Sequence, residues 1–161
     1  MEPELEMLSA EVGRRLKASG VFLATAESCT GGWAAQVITA TAGSSEWFER
    51  GFVTYSNAAK LELLGVDADA LLQRGAVSEQ TAREMAQGAI RNSRAQVALA
   101  ITGIAGPGGG TPDKPVGMVC FAWAFVDRPT SAATRNFAGD RETIRRQSVV
   151  FALTELLKRL T

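Results

Sequence analysis

The sequence predicts an α/β fold: residues 1–161 forming one domain, a three-layer α/β/α sandwich around a mixed, mostly parallel sheet. Three observations lead there. The runs at 21–26 and 97–102 are short and almost wholly apolar, the composition of strands covered on both faces. Runs with apolar residues three or four apart alternate with them, which is the period of helices. The strand-like runs end in turns rich in hydroxyls and glycine, as the carboxyl ends of strands in ligand-binding open sheets do.

Leu5, Leu8, Val12 and Leu16, closed by Gly20, predict an N-terminal amphipathic helix. Residues 21–26 form the first strand. Gly31-Gly32 opens a helix running to about Ile38, followed by a loop of small residues that Trp47 and Phe48 anchor in the core. Residues 51–55 read as the second strand. Ser56-Asn57 then caps a short helix with Lys60, Leu61 and Leu64, ended by Gly65, and Asp67 starts a further helical turn through Leu71 and Leu72. Ser78 caps a helix through Met85, Ala89 and Ile90 to about Arg91. The third strand, 97–102, leads into a long loop, 103–115, of five glycines and three prolines. Residues 117–126 form an aromatic-rich fourth strand, Asp127-Arg128-Pro129 a turn, and 134–137 an edge strand. No helix separates the last two strands, so antiparallel pairing is expected there. Asp140 caps a final helix whose apolar side carries Ile144, Val149, Ala152, Leu153, Leu156 and Leu160.

Composition narrows the chemistry. Lys plus Arg equals Asp plus Glu at 17 each, so a broad nucleic-acid-binding surface is not expected. No apolar run is long enough to span a bilayer, and the acidic start (Glu2, Glu4, Glu6) is no signal peptide. Cys29 and Cys120 stand alone without Cys-x-x-Cys spacing, which speaks against a zinc site or a disulfide framework. The expectation is a cytoplasmic protein with reduced thiols, no metal and no cofactor. The chain contains no histidine. Ser-His-Asp and Cys-His chemistry and imidazole metal ligation are therefore excluded, and any nucleophile needs Lys, Tyr, Asp or Glu as its base.

Three polar strand ends on one sheet edge would converge on one pocket: residues 28–32, Tyr55-Ser56-Asn57 with Lys60, and residues 102–110. Ser28 is the candidate nucleophile. Lys60 is its candidate base, since a desolvated amine has a lowered pKa; a solvated helix charge is the competing reading. Cys29 is the rival nucleophile, with core packing as its alternative. Glu27 is expected to bind glycine-loop N–H groups or a cation, and Tyr55 to relay a proton or stack on a flat ring. The 103–110 loop resembles a phosphate cradle without the Gly-Lys-Ser/Thr of a Walker loop. Arg141, Arg145 and Arg146 could clamp a phosphate, while Trp33, Trp47 and Trp123 are expected in the core. The residues alone thus point to a small anionic, phosphorylated ligand and a Ser/Lys hydrolase, without naming a substrate.

Residues 26–32 (Ala-Glu-Ser-Cys-Thr-Gly-Gly), residues 51–57 with Lys60, residues 75–79, residues 102–107 and residues 114–117 stand in the order and wording of the CinA C-terminal domain family, which the chain resembles from about Leu5 to Leu160. The resemblance is to the nicotinamide-nucleotide amidohydrolases (nicotinamide mononucleotide deamidases) of bacterial pyridine nucleotide salvage. It implies the stand-alone form, since nothing here corresponds to the molybdopterin-binding-like domain of full-length CinA. It implies an enzyme that hydrolyses the carboxamide of nicotinamide mononucleotide to nicotinate mononucleotide and ammonia, with a Ser/Lys pairing that falls on Ser28 and Lys60. Under this reading Ser28, Lys60, Tyr55 and Thr102 are the catalytic candidates. Glu27, Thr30, Gly31, Asn57, Gly103, Gly106, Arg141 and Arg145 are the substrate-binding candidates, with N–H groups of Thr30, Gly31 or the Thr102-Gly103 turn stabilising an oxyanion. A non-catalytic nucleotide-binding or damage-response module, and a phosphoryl-transfer enzyme, are the alternatives. The final helix and Trp47-Phe48 suggest apolar surface for a homodimer.

Overall fold

The computed structural model describes residues 1–160. Its elements are α1 (Pro3–Ser19), β1 (Leu23–Glu27), α2 (Trp33–Thr39), a 3-10 turn (Ser44–Glu46), β2 (Phe48–Val53), α3 (Asn57–Leu64), α4 (Ala68–Arg74), α5 (Glu79–Arg91), β3 (Val97–Gly103), β4 (Met118–Phe125), β5 (Arg128–Asn136) and α6 (Arg141–Arg159). The strands form one mixed sheet in the order β2-β1-β3-β4-β5. β1 pairs in parallel with β2 and β3, and β4 pairs antiparallel with β3 and β5, so β4 alone runs against the other four.

Strand alternation sorts the side chains into two cores. Leu23, Leu99, Ile101, Phe121 and Trp123 point to the face covered by α1, α2 and α6. Ala24, Ala26, Ala98, Ala100, Ala122 and Ala124 point to the other face, which carries α3, α4 and α5. The alanines let α5 lie close to the sheet. Its Gly88 touches the end of α3 so closely that an added Cβ would sit 2.0 Å from the Leu64 carbonyl oxygen. The first face is filled instead by aromatics. Phe121 and Phe151 lie 4.7 Å apart, and the Trp123 indole N–H donates to the Ala152 carbonyl at 3.1 Å.

Two strands differ from the sequence reading. β2 begins at Phe48, not at 51, because it pairs from its first residue with Leu23. β5 spans Arg128–Asn136, taking in Arg128 and Pro129 of the segment read as a turn and leaving Asp127 in it; Pro129 is tolerated because β5 is an edge strand with no ladder on its outer side. Trp47 is buried against Gly13 of α1, so it offers no apolar surface to a second copy, and the side chains expected on the apolar face of α6 pack into the first core. Among the described residues no helix is long and apolar enough to cross a membrane.

Candidate active site

The carboxyl ends of β1, β2 and β3 and the start of α6 enclose a cavity of about 250 Å³. It is lined by Ser28, Cys29, Tyr55, Lys60, Ala76, Val77, Thr102, Gly103, Ala105 and Arg141. Ser28 sits there because the β1 ladder continues one residue past the strand: its N–H donates to the Ile101 carbonyl at 2.9 Å. Alternation then turns Ser28 to the α3 side and Cys29 to the opposite core.

Lys60 is on the second turn of α3, whose first turn is capped by the Ser56 hydroxyl accepting from Ala59 N–H. The cap and the apolar anchor Leu64 aim the Lys60 stem inward, leaving it only 1% exposed. Its Nζ donates to Ser28 Oγ at 2.9 Å, to Thr54 O at 2.9 Å and to Tyr55 O at 3.1 Å. Ser28 Oγ in turn donates to Tyr55 O at 3.3 Å. Burial pushes the Lys60 pKa below its ordinary 10.5. Once Lys60 is neutral, its two hydrogens can stay on the two carbonyls while its lone pair faces the Ser28 hydroxyl. That is the geometry of a nucleophile beside its general base. The solvated-charge reading of Lys60 does not fit this burial. Cys29 has the opposite environment: burial first, then the Glu27 charge, pushes its thiol up to about 11.

The remaining candidates divide. Thr102 lies on the cavity wall and donates its hydroxyl to Ala76 O at 2.8 Å. Tyr55 is exposed at the mouth, where its hydroxyl lies 3.5 Å from Arg141 Nη2; Arg141 also donates to Gly106 O at 2.8 Å. Of the glycine loop, Gly103 and Ala105 line the cavity, and Gly106 contributes through its carbonyl.

Other expected ligand-binding residues are used elsewhere. Glu27 is fully buried, and its carboxylate accepts from Thr30 Oγ1 at 2.6 Å, Ala34 N at 2.9 Å and Ala35 N at 3.1 Å. It caps α2, whose own N-cap position is a glycine without a side chain to do so. Neither Glu27 nor Thr30 lines the cavity. The Gly31 N–H, an expected oxyanion donor, bonds Ser28 O inside the turn at 3.1 Å. Asn57 is exposed and borders a separate groove between α3 and α4. Arg145 donates to Cys29 O at 3.0 Å and Thr30 O at 3.2 Å, bracing the Ser28 loop from α6 beside Trp33. Arg146 pairs with Glu2 and Glu4. The cavity-lining Ala76 and Val77 lie in the 75–79 segment that carries the family resemblance but are not among the expected site residues; the segment is marked by Gly75 at φ 78° and by the Ser78 cap of α5. The carbonyls of Thr54 and Tyr55 that hold Lys60 carry no sequence signal at all, because every residue has one.

Fold and site together define a three-layer α/β protein with a small-molecule cavity at the carboxyl ends of its parallel strands, floored by a buried serine–lysine pair. The sequence matches the CinA C-terminal domain family over residues 5–160, and the chain belongs to that family. It is 54% identical over 155 residues, 96% of this chain and 94% of the relative, to the nicotinamide-nucleotide amidohydrolase PncC of Escherichia coli strain K12. The protein of that name from Pseudomonas putida is 48% identical over 158 residues, 98% of each chain. The crystal structure of the competence/damage inducible protein CihA from Agrobacterium tumefaciens superposes with a TM-score of 0.95 at 44% identity, covering 99% of this chain and 97% of that one.

Proposed function

We propose that this protein is an amidase that hydrolyses the carboxamide of nicotinamide mononucleotide to nicotinate mononucleotide and ammonia, a step of pyridine nucleotide salvage in the cytoplasm. The observation that carries the reading is the 2.9 Å contact between the buried Lys60 amine and Ser28 Oγ. The names and high identity of the amidohydrolase relatives support the substrate.

In the first half-reaction neutral Lys60 takes the Ser28 proton as Oγ bonds to the amide carbon. The resulting Lys60 ammonium gives that proton to the amide nitrogen as the C–N bond breaks, releasing ammonia and leaving an acyl ester on Ser28. In the second half-reaction water attacks the ester, Lys60 takes a water proton and returns it to Ser28 Oγ, and the acid leaves. The Cys29 N–H, on a residue that lines the cavity beside Ser28, has no oxygen acceptor among the described residues and is the donor this reading assigns to the oxyanion. Ala76, Val77 and Ala105 supply an apolar wall for the pyridine ring. In this reading Arg141, held by Gly106 O and Tyr55 at the mouth, takes the 5′-phosphate.

Ammonia release measured with nicotinamide mononucleotide, nicotinamide riboside and nicotinamide tests the reading. Turnover of the mononucleotide above the other two, lost in Ser28→Ala, is expected. A folded protein that binds the mononucleotide but releases no ammonia would instead be a nucleotide-binding module.

A further inference from the structure

We propose that Thr102 is the residue that reads the reacting nitrogen of the substrate, accepting a hydrogen bond from the carboxamide NH₂ and so selecting a primary amide. This rests on the amidase reading above and goes beyond it, to how the site tells an amide from a group of the same shape.

The argument begins with hydrogen-bond accounting. A threonine hydroxyl has one proton and two acceptor lone pairs. Thr102 Oγ1 lies 2.8 Å from Ala76 O, and a carbonyl oxygen can only accept, so the single proton is committed to that bond. No protein donor among the described residues reaches Thr102 Oγ1. What Thr102 offers the cavity it lines is therefore acceptor capacity alone. It cannot also donate to an oxyanion without giving up Ala76. The Ala76 bond additionally holds the hydroxyl rotor in one orientation.

Register then places this acceptor. Glu27 pairs with Ile101, and Ser28 N–H continues the ladder to Ile101 O, so the next pair is Ser28 with Thr102. Parallel neighbours lie about 4.8 Å apart, and these two share a face. Lys60 reaches Ser28 from the β2 side, where it is held by Thr54 O. Thr102 lies on the β3 side. Ser28 is thus flanked by its base on one hand and a pure acceptor on the other. An amide nitrogen above Ser28 that gives one N–H to Thr102 has its lone pair, once the carbon becomes tetrahedral, free to turn toward the Lys60 ammonium. That is the atom to which the proton must go before the C–N bond breaks. The same lone pairs disfavour a carboxylate oxygen in that position, which aids departure of the acid product.

The test uses the Ser28→Ala protein, expected to bind without turnover, and two compounds of equal charge and shape: nicotinamide mononucleotide and its methyl-ketone analogue, in which CH₃ replaces NH₂. Calorimetry should show the ketone binding about tenfold more weakly, the loss expected for one unmade hydrogen bond to a buried acceptor. Adding Thr102→Val should bring the two affinities together, and Thr102→Ser should keep them apart. Equal binding of amide and ketone by the Ser28→Ala protein overturns the proposal without any Thr102 variant having to fold. A preference that survives unchanged in folded Thr102→Val also overturns it. Failure of folded Ser28→Ala protein to bind either compound overturns the amidase reading itself, and this inference with it.

Discussion

Replacing Lys60 by Met should separate activity from stability. Met has a similar unbranched stem and fills the same buried space, but it donates nothing. Three contacts disappear: 2.9 Å to Ser28 Oγ, 2.9 Å to Thr54 O and 3.1 Å to Tyr55 O. Tyr55 O keeps the Ser28 hydroxyl as a donor, so Thr54 O is the group left short, at a cost of about 1–3 kcal/mol. Against that stands the removal of a buried ammonium, whose desolvation is what lowers the Lys60 pKa. The two effects offset, and the variant should lie within about 2 kcal/mol of the parent, a Tm change of roughly 4–8 °C at most. Its turnover should fall by about 10²–10⁴-fold, the usual contribution of a general base.

The pH dependence gives the same experiment a second reading. With the folded-state pKa of Lys60 below 10.5, the unfolded chain binds a proton that the folded one lacks between those two values. Parent stability should therefore rise with pH across that window, and this gain should be lost as pH falls through the folded value. Lys60→Met should lack the slope. The kcat/KM of the parent should rise with pH along an acid limb whose midpoint lies below 10.5. The assays are ammonia release and thermal unfolding at matched pH. A folded Lys60→Met protein with more than about a tenth of parent activity would refute the base assignment, and a Tm loss beyond about 10 °C would refute the energetic balance.

Cys29→Ala should keep near-parent turnover, at a cost of about 1 kcal/mol for a small buried cavity, because a thiol held up to about 11 and turned into the core is no nucleophile; thermal melts and ammonia release measure both effects. Glu27→Ala should destabilise by about 1–2 kcal/mol through loss of the α2 cap and lower kcat more than it raises KM, since the loop bearing Ser28 loosens. Arg141→Ala should raise KM about 10–100-fold for the mononucleotide and leave the riboside unaffected, as loss of a charged hydrogen bond to phosphate requires. An equal effect on both substrates would remove Arg141 from the phosphate site.

Local patterns carried much of the architecture. The caps at Ser56, Asp67, Ser78 and Asp140 and the glycine stops at Gly20 and Gly65 are one-turn effects, and all of them are present. Apolar runs marked β1, β3 and β4 because those strands are covered on both faces. The edge strands were less legible. β2 and β5 are half-exposed, so their composition resembles that of loops, and Pro129 looks like a turn residue until the free edge of the sheet is known.

What the sequence alone determined about this protein is its vocabulary: no histidine, hence no imidazole base; a serine after one buried strand and a lysine just past the strand that follows; an α/β order of elements. Tertiary structure decided how those groups are used. Glu27 and Ser28 are neighbours in the chain, yet strand alternation sends one to cap α2 and the other into the cavity. Three arginines clustered at the start of α6 go to three destinations: the cavity mouth, the Ser28 loop and the N-terminal acidic residues. The contact of Lys60 with Ser28 spans 32 residues of chain. The physical reason is range. Period and capping depend on residues a few positions apart, whereas which buried donor meets which acceptor depends on sheet register and on how closely the alanine face lets the helices approach.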